Sequence, residues 1–149
     1  MRIGFTGTQA GMTKEQKERL ESWIRMSRPW QFHHGDYIGA DKEAHDIIMK
    51  FNNYTVAGVS IIIHPPADPK KRAFCKRHSC DKTEITELLP KPYMTRNHDI
   101  VDCSSVLVAC PGQFSEVLRS GTWATMRYAR KVGKIVMVIW PDGKIDRWC

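Results

Sequence analysis

Three apolar, β-branched runs constrain the fold more than any other feature of this sequence. They are VSIIIH at 59–64, SVLVAC at 105–110 and KIVMVIW at 134–140, and a proline directly follows each run. Strands without an alternating polar face are usually covered on both sides, as in a parallel sheet. The three runs therefore predict interior strands of a parallel sheet.

Helical patterns alternate with these runs. Thr13 and Gln16 have the spacing of a capping box, and an apolar stripe follows them. Further strands are predicted over 2–7 and 32–35, and further helices over 40–51, 121–131 and from about 95 to 103. Strand–helix alternation implies βαβ crossovers. We expect an α/β fold with a mainly parallel sheet of at least five strands.

The length of 149 residues predicts a single domain over 1–149, with a long, basic, lid-like loop at about 67–92. No apolar run reaches the ~18–20 residues of a membrane helix, and no charged-then-apolar leader precedes the first strand. Five cysteines without framework spacing favour a reducing compartment. These features predict a cytoplasmic protein that does not act at a membrane.

The charge balance predicts an anionic ligand. Lys+Arg 23 against Asp+Glu 16 gives 23 − 16 = +7. The basic residues cluster only at 70–72 and 127–131, and aromatic residues do not alternate with them as on a platform that stacks single strands. A phosphorylated small molecule is therefore favoured over nucleic acid.

Candidate ligand loops follow the predicted strands. In an open parallel sheet, ligands bind beyond the carboxyl ends of the strands. Glycine and hydroxyl residues at these ends let backbone N–H groups approach a phosphate, although each glycine alone could simply form a turn. The loops contain Gly7, Thr8 and Gln9; Gly35 and Asp36; Pro65 and Pro66; and Pro111 and Gly112, which lead to Ser120, Gly121 and Thr122.

Five ordered blocks resemble one protein superfamily. The blocks are GFTGTQAGMTKEQ, HGDYIGADKEAHDI, HPPADPKKRAF, TRNHDIVDCSSVLVACPG and SGTWATMRYARKVGKIVMVI. Together they resemble the SLOG superfamily, close to its YspA-like branch, which includes the Lonely guy phosphoribohydrolases and the Rossmann-like domain of DNA-processing protein A. The resemblance implies a Rossmann-like, doubly wound sheet, binding of a nucleotide-type ligand, and a homo-oligomer.

The resemblance also implies a set of ligand contacts. Gln9 stands where the family often has an arginine, whereas Arg96 and Asn97 match a pair that faces the ligand. Arg96 would supply a permanent fork of donors, and Thr122 a hydroxyl beside free backbone N–H groups. The matched positions are Gly7, Thr8, Gln9, Gly35, Asp36, Gly39, Ala40, Asp41, Arg96, Asn97, Gly121 and Thr122.

One departure from the family concerns catalysis. Thr125 occupies the position of the catalytic glutamate of Lonely guy enzymes, and Gln113 to Arg119 form an insertion before it. Cleavage of an N-glycosidic bond requires a carboxylate, by analogy with glycosidases. Glu116, Asp36 or Asp41 would have to replace it. Binding without catalysis is therefore favoured.

Three weaker features remain open at this level. Cys75, His78 and Cys80 could be zinc ligands, but a partner pair is missing nearby, so neither a metal nor a cofactor is expected. Trp123 could stack on a ligand ring or pack in the core. Arg72, with Lys70 and Lys71, could close over a pyrophosphate or remain solvated.

The sequence thus predicts a protein that binds a nucleotide or a nucleotide-derived signal, such as an ADP-ribose derivative or a cyclic nucleotide. Its role would be to sense or sequester that molecule. One alternative is a phosphoribohydrolase that acts on nucleoside monophosphates, and a second is single-stranded DNA binding.

Overall fold

The computed structural model describes residues 1–75 and 83–149. It contains a seven-stranded sheet with the order β4-β3-β2-β1-β5-β6-β7, in which only β7 is antiparallel to its neighbour. The strands are β1 (Arg2–Gly7), β2 (Gln31–His34), β3 (Ser60–Ile63), β4 (Ile85–Glu87), β5 (Val106–Cys110), β6 (Ile135–Ile139) and β7 (Ile145–Arg147). The predicted α/β class and Rossmann-like, mainly parallel sheet are confirmed.

Within the described ranges, four α-helices connect the strands. They are α1 (Lys14–Ser27), α2 (Ala40–Asn52), α3 (Tyr93–Asp102) and α4 (Gly121–Lys131). The predicted capping box begins α1, since the Thr13 hydroxyl accepts from the Gln16 N–H while the Gln16 side chain accepts from the Thr13 N–H. Each of these helices lies close to its predicted position. For α1 the capping box and the apolar stripe after it were visible in the sequence.

Apolar side chains from both faces of the sheet form the core. Leu20 and Ile24 of α1 pack with Ala44 and Ile48 of α2 on one face. Trp123, Met126 and Ala129 of α4 pack with Val101 of α3 on the other. Coverage on both faces explains why the central strands read as continuous apolar runs.

The segment predicted as one long loop at 67–92 contains regular structure in its described part. It contains a short 3-10 helix, Pro69–Lys71, and the edge strand β4, which pairs with β3. β4 and β7 have three residues each, too few for a periodic pattern to identify them. His78 and Cys80 lie outside the described residues, as does the rest of 76–82.

The strand order places a crevice beside β1. The chain moves outward from β1 through β2, β3 and β4 on one side, and through β5, β6 and β7 on the other. The order therefore reverses between β1 and β5, where α/β sheets bind ligands beyond their carboxyl edge. Among the described residues, no helix is long and apolar enough to cross a membrane.

Candidate functional site: a cavity at the carboxyl edge of the sheet

A cavity of about 250 Å³ lies at this crevice. Five segments form it: the end of β1 with the turn after it, the turn after β2, the start of α2, the first half of α3, and the loop that enters α4. Its lining residues are Phe5, Thr6, Gly7, Thr8, Gln9, Tyr37, Asp41, Tyr93, Arg96, Asn97, Arg119, Ser120, Gly121 and Thr122. The structure therefore brings together nine of the residues named from the sequence: Gly7, Thr8, Gln9, Asp41, Arg96, Asn97, Ser120, Gly121 and Thr122.

Two backbone segments present polar groups to the cavity. Thr8 folds the chain after β1 into a turn, because its carbonyl accepts from the N–H groups of Gly11 and Ala40. Across the cavity, Ser120 caps α4 by accepting from the Trp123 N–H. The first backbone N–H groups of a helix lack partners within the helix and carry partial positive charge. The entrance of α4 is therefore suited to an anion.

Arg96 provides the main positive charge of the cavity. It is only 4% exposed, and its Nε and Nη2 atoms have no hydrogen-bond partner among the described residues. Its guanidinium carbon lies 5.6 Å from the ring centre of Tyr37 and 5.2 Å from that of Tyr93. These aromatic contacts hold the cation in place but leave the Nε and Nη2 donors unused. An anion in the cavity would supply the missing acceptors.

Two glycines make room for the side chains of the cavity. A Cβ atom at Gly35 would overlap the guanidinium of Arg96. A Cβ atom at Gly121 would overlap the Tyr93 hydroxyl. Gly35 therefore leaves space for Arg96 without lining the cavity itself. Gly121 leaves space for Tyr93 and also lines the cavity.

Asp41 is the carboxylate of the cavity. It is buried, and its Oδ2 accepts from the N–H groups of Gly35, at 3.0 Å, and Tyr37, at 3.3 Å. Burial raises the pKa of Asp41 to about 6, an effect that the Arg96 charge and these hydrogen bonds offset in part. Asp41 therefore gains or loses its proton at about pH 6. Because it lines the cavity, it could also form a hydrogen bond to a ligand hydroxyl.

Asp36 and Arg72 do not line the cavity. Asp36 is fully buried, with Oδ2 at 2.5 Å from Arg72 Nε and Oδ1 accepting from the Cys75 N–H. Arg72 also pairs with Glu87 and lies over the ring of Phe74. The pair attaches the segment after β3 to the turn after β2. Both residues were named as ligand contacts, and Asp36 also as a catalytic candidate; in this structure they form an internal ion pair.

The residues considered for catalysis and stacking also lie elsewhere. Glu116 pairs with Arg127 at the surface, 2.8 Å away. The Thr125 hydroxyl donates to the Gly121 carbonyl within α4. Trp123 is buried against Trp140 and Trp148, and its indole N–H donates to Gln113. This environment agrees with the alternative in which Trp123 packs in the core.

Four other named residues support the cavity from outside its lining. Gly39 precedes α2 with φ of 90°, and the Ala40 N–H donates to the Thr8 carbonyl. The Pro111 carbonyl accepts from the side chain of Gln16, and Gly112 lies near the Thr8 side chain. These contacts fix the chain around the cavity.

Five lining residues were not named as ligand contacts from the sequence: Phe5, Thr6, Tyr37, Tyr93 and Arg119. Phe5 and Thr6 belong to β1 itself. Tyr37 follows the Gly35-Asp36 turn directly, so its place after a strand was an available signal. Tyr93 and Arg119 precede the residues that matched the family, and only the tertiary structure brings them together. Arg119 is exposed and adds a second cation at the rim.

A second cluster of potential ligand atoms joins His34, His45 and Cys75, all within 4.8 Å of one another. His34 Nδ1 accepts from the Asp36 N–H, which places the ring proton on Nε2. That Nε2 lies 3.0 Å from His45 Nδ1 and donates to it. Burial and the neighbouring Asp36 raise the pKa of the Cys75 thiol. The Asp36 N–H, His34 and His45 form a hydrogen-bonded chain beside Cys75.

Comparisons with known proteins support the fold. No family model matches the chain, and no curated protein matches it. Among solved structures, it is similar to the molybdenum cofactor binding protein from the phototrophic bacterium Rippkaea orientalis. The TM-score is 0.63 at 19% identity, and the match covers 93% of this chain and 75% of that chain. At this identity the likeness concerns the Rossmann-like α/β fold, so the SLOG assignment stays a prediction.

Proposed function

We propose that this protein binds a nucleotide or a nucleotide-derived signal, of the ADP-ribose or cyclic nucleotide type, and senses or sequesters it. The phosphate would lie between Arg96 and the first turn of α4. The observation that carries this proposal is a guanidinium that is 4% exposed, lines the cavity and has two nitrogens without partners among the described residues.

The energetics of Arg96 support an anionic ligand. A buried donor without an acceptor costs about 1–3 kcal/mol, and more when the group is charged. A phosphate oxygen would receive short, charge-assisted hydrogen bonds from Nε and Nη2. Thr8 and Thr122 add hydroxyl groups at the same cavity. The neighbour's description as a cofactor binding protein agrees with a small-molecule role for this fold.

The placement of the described carboxylates favours binding over hydrolysis. Glu116 is paired at the surface, and Thr125 hydrogen-bonds within its own helix. Asp41 is the one carboxylate among the described lining residues. Its Oδ2 already accepts two backbone N–H groups, which suits it to orient a ligand hydroxyl.

The first experiment identifies the ligand. The purified protein is denatured by heat, and the released small molecules are analysed by mass spectrometry. The native protein is then titrated calorimetrically with AMP, ADP-ribose and a cyclic dinucleotide. We expect at least one phosphorylated nucleoside to bind and to be recovered unchanged. Release of free base would instead support the phosphoribohydrolase alternative.

The second experiment tests the site. Arg96→Met is expected to weaken binding of the nucleotide about 100-fold, because it removes the charged donors. Arg130→Met is the matched control, since Arg130 also lies over an aromatic ring, that of Trp148, but does not line the cavity. Equal affinities of the two variants would overturn the proposed site. Salt-dependent binding of single-stranded DNA without nucleotide binding would favour the nucleic-acid alternative.

A further inference from the structure

A second, more apolar cleft of about 360 Å³ adjoins the Arg96 cavity. The two share Tyr37 and Tyr93 as lining residues. The cleft is lined by Tyr37, Pro66, Ala67, Asp68, Lys71, Pro92 and Tyr93. A bound molecule that extends from the cavity into the cleft would therefore pass Tyr37 and Tyr93.

We propose that this cleft is the subsite for the planar base of the nucleotide whose phosphate lies at Arg96. The inference rests on the proposed function and extends it, because it assigns an orientation: phosphate beside α4, and base between the segment after β3 and the start of α3. The class of ligand is a nucleoside phosphate with a flat heteroaromatic base.

The sizes of the two spaces support this division. The cavity alone is below the roughly 300–1,000 Å³ that small-molecule sites occupy, whereas cavity and cleft together fall within that range. The cavity walls are polar and contain Arg96, which suits a phosphate. The cleft walls are mainly prolines and tyrosine rings, which suit an uncharged ring.

The shared tyrosines are arranged to receive a ring. Their ring centres are 5.9 Å apart, and their planes are inclined by 44°. Tyr93 is 39% exposed, so part of its ring is available for a ligand to cover. Bases stack on aromatic side chains whatever their sequence identity, since every base has a π-face.

The backbone holds the opposite wall in place. The Ala67 N–H donates to the Lys91 carbonyl at 2.8 Å, which fixes the segment after β3 beside the residues that enter α3. Asp68 caps the short helix at Pro69–Lys71. Lys71 Nζ lies 3.4 Å from Gln9 Oε1. The cleft and the loop after β1 therefore share a polar rim. Asp68 and Lys71 provide one acceptor and one donor for the edge of a base.

The test compares ligands with and without a base. Calorimetry measures ribose 5-phosphate, AMP and UMP on the wild type, on Ala67→Phe and on Ala57→Phe. Ala67 is exposed and lines the cleft, so a phenylalanine there fills it without touching Arg96. Ala57 is also exposed, lies between α2 and β3 at the opposite end of the sheet, and is the matched control.

We expect the wild type and Ala57→Phe to bind at least one of the two nucleotides, AMP or UMP, at least tenfold more tightly than ribose 5-phosphate. In Ala67→Phe this preference should vanish while the affinity for ribose 5-phosphate stays unchanged. Equal wild-type affinities for nucleotides and ribose 5-phosphate, or a preference that survives in Ala67→Phe, would overturn the base subsite but leave the proposed function intact. If none of the three ligands binds, the base subsite is overturned; if ADP-ribose and a cyclic dinucleotide also fail to bind, the proposed function fails with it.

A photolabelling experiment on the wild-type protein accompanies this test and requires no substitution. Photolabelling of the wild type with 8-azido-AMP should place the label on Tyr37, on Tyr93 or on the peptide 66–71. Excess AMP should prevent the labelling. Labelling confined to the opposite edge of the sheet would contradict the proposed orientation, whatever the folding of the variants.

Discussion

Two arginines with mostly buried side chains lie at one edge of the sheet. They differ in whether their guanidinium groups have hydrogen-bond partners. Arg72 and Arg96 both lie over aromatic rings near the end of β2. Arg72 bonds to Asp36 at 2.5 Å and also pairs with Glu87. Arg96 keeps Nε and Nη2 without partners among the described residues, beside a cavity.

The difference teaches which arginine is available to a ligand. A buried ion pair satisfies both of its members, and removing one member leaves a costly charge behind. An unpaired guanidinium costs stability in the unliganded protein and gains hydrogen bonds only when an anion arrives. Hydrogen-bond satisfaction, more than residue type or place along the chain, separates the structural arginine from the candidate binding residue.

Arg72→Met should produce the largest change in stability. It leaves the carboxylate of Asp36, which is fully buried, without its cation. We expect the free energy of unfolding to fall by about 3 kcal/mol, measured by urea denaturation at pH 7. The double variant Asp36→Asn with Arg72→Met should recover part of this loss. An unchanged urea midpoint in Arg72→Met would refute the structural role given to this pair.

Asp41→Asn tests the carboxylate that accompanies Arg96. The pKa of Asp41 is about 6 in the folded protein, against a usual value of 3.8, so the folded state binds the proton more tightly than the unfolded state. The stabilisation that this group contributes is therefore complete below pH 3.8 and is lost as the pH rises through about 6. Above that pH the ionised carboxylate destabilises the fold, and the neutral amide of the asparagine would remove that charge.

The Asp41→Asn variant should thus be more stable than the wild type by about 2 kcal/mol at pH 8, and equally stable at about pH 4. Thermal unfolding across this pH range measures the difference. Asp46→Asn, on the exposed side of the same helix, is the matched control. A pH-independent difference for Asp41→Asn would contradict the raised pKa.

Gly35→Ala moves Arg96 without deleting it. The added methyl group would overlap the end of a side chain, so the fold should persist while the guanidinium shifts. We expect nucleotide affinity to fall about tenfold, a free-energy change of about 1.4 kcal/mol. Gly58→Ala is the control, because a Cβ there meets Asn52 at an ordinary 3.4 Å. Wild-type affinity in Gly35→Ala would show that the observed position of Arg96 is unimportant for binding.

Arg96→Met should have the smallest effect on stability, in contrast to Arg72→Met. Removing this buried charge relieves its desolvation but also ends its attraction for the Asp41 carboxylate, while the methionine still packs against Tyr37 and Tyr93. We expect the free energy of unfolding without ligand to stay within about 0.5 kcal/mol of the wild type or to rise. A loss as large as that of Arg72→Met would erase the distinction between the two arginines.

Much of the fold was predictable because its signals are local. The apolar runs at 59–64, 105–110 and 134–140 each contain an observed strand, and the Thr13–Gln16 box begins a helix. Two strands of three residues, β4 and β7, escaped prediction because pairing with a neighbour defines them more than their own pattern does. The predicted homo-oligomer and the cytoplasmic location stay predictions.

For the candidate site, the sequence by itself determined where the loops at the carboxyl edge of the sheet would lie, because strand ends and their glycines are encoded in consecutive residues. Gly7, Thr8 and Thr122 were found in this way, and Arg96 through the family resemblance. Only the tertiary structure decided that Asp36 pairs with Arg72 while Arg96 stays unpaired among the described residues. The physical reason is that long side chains choose partners by distance in space, and the sequence does not contain those distances.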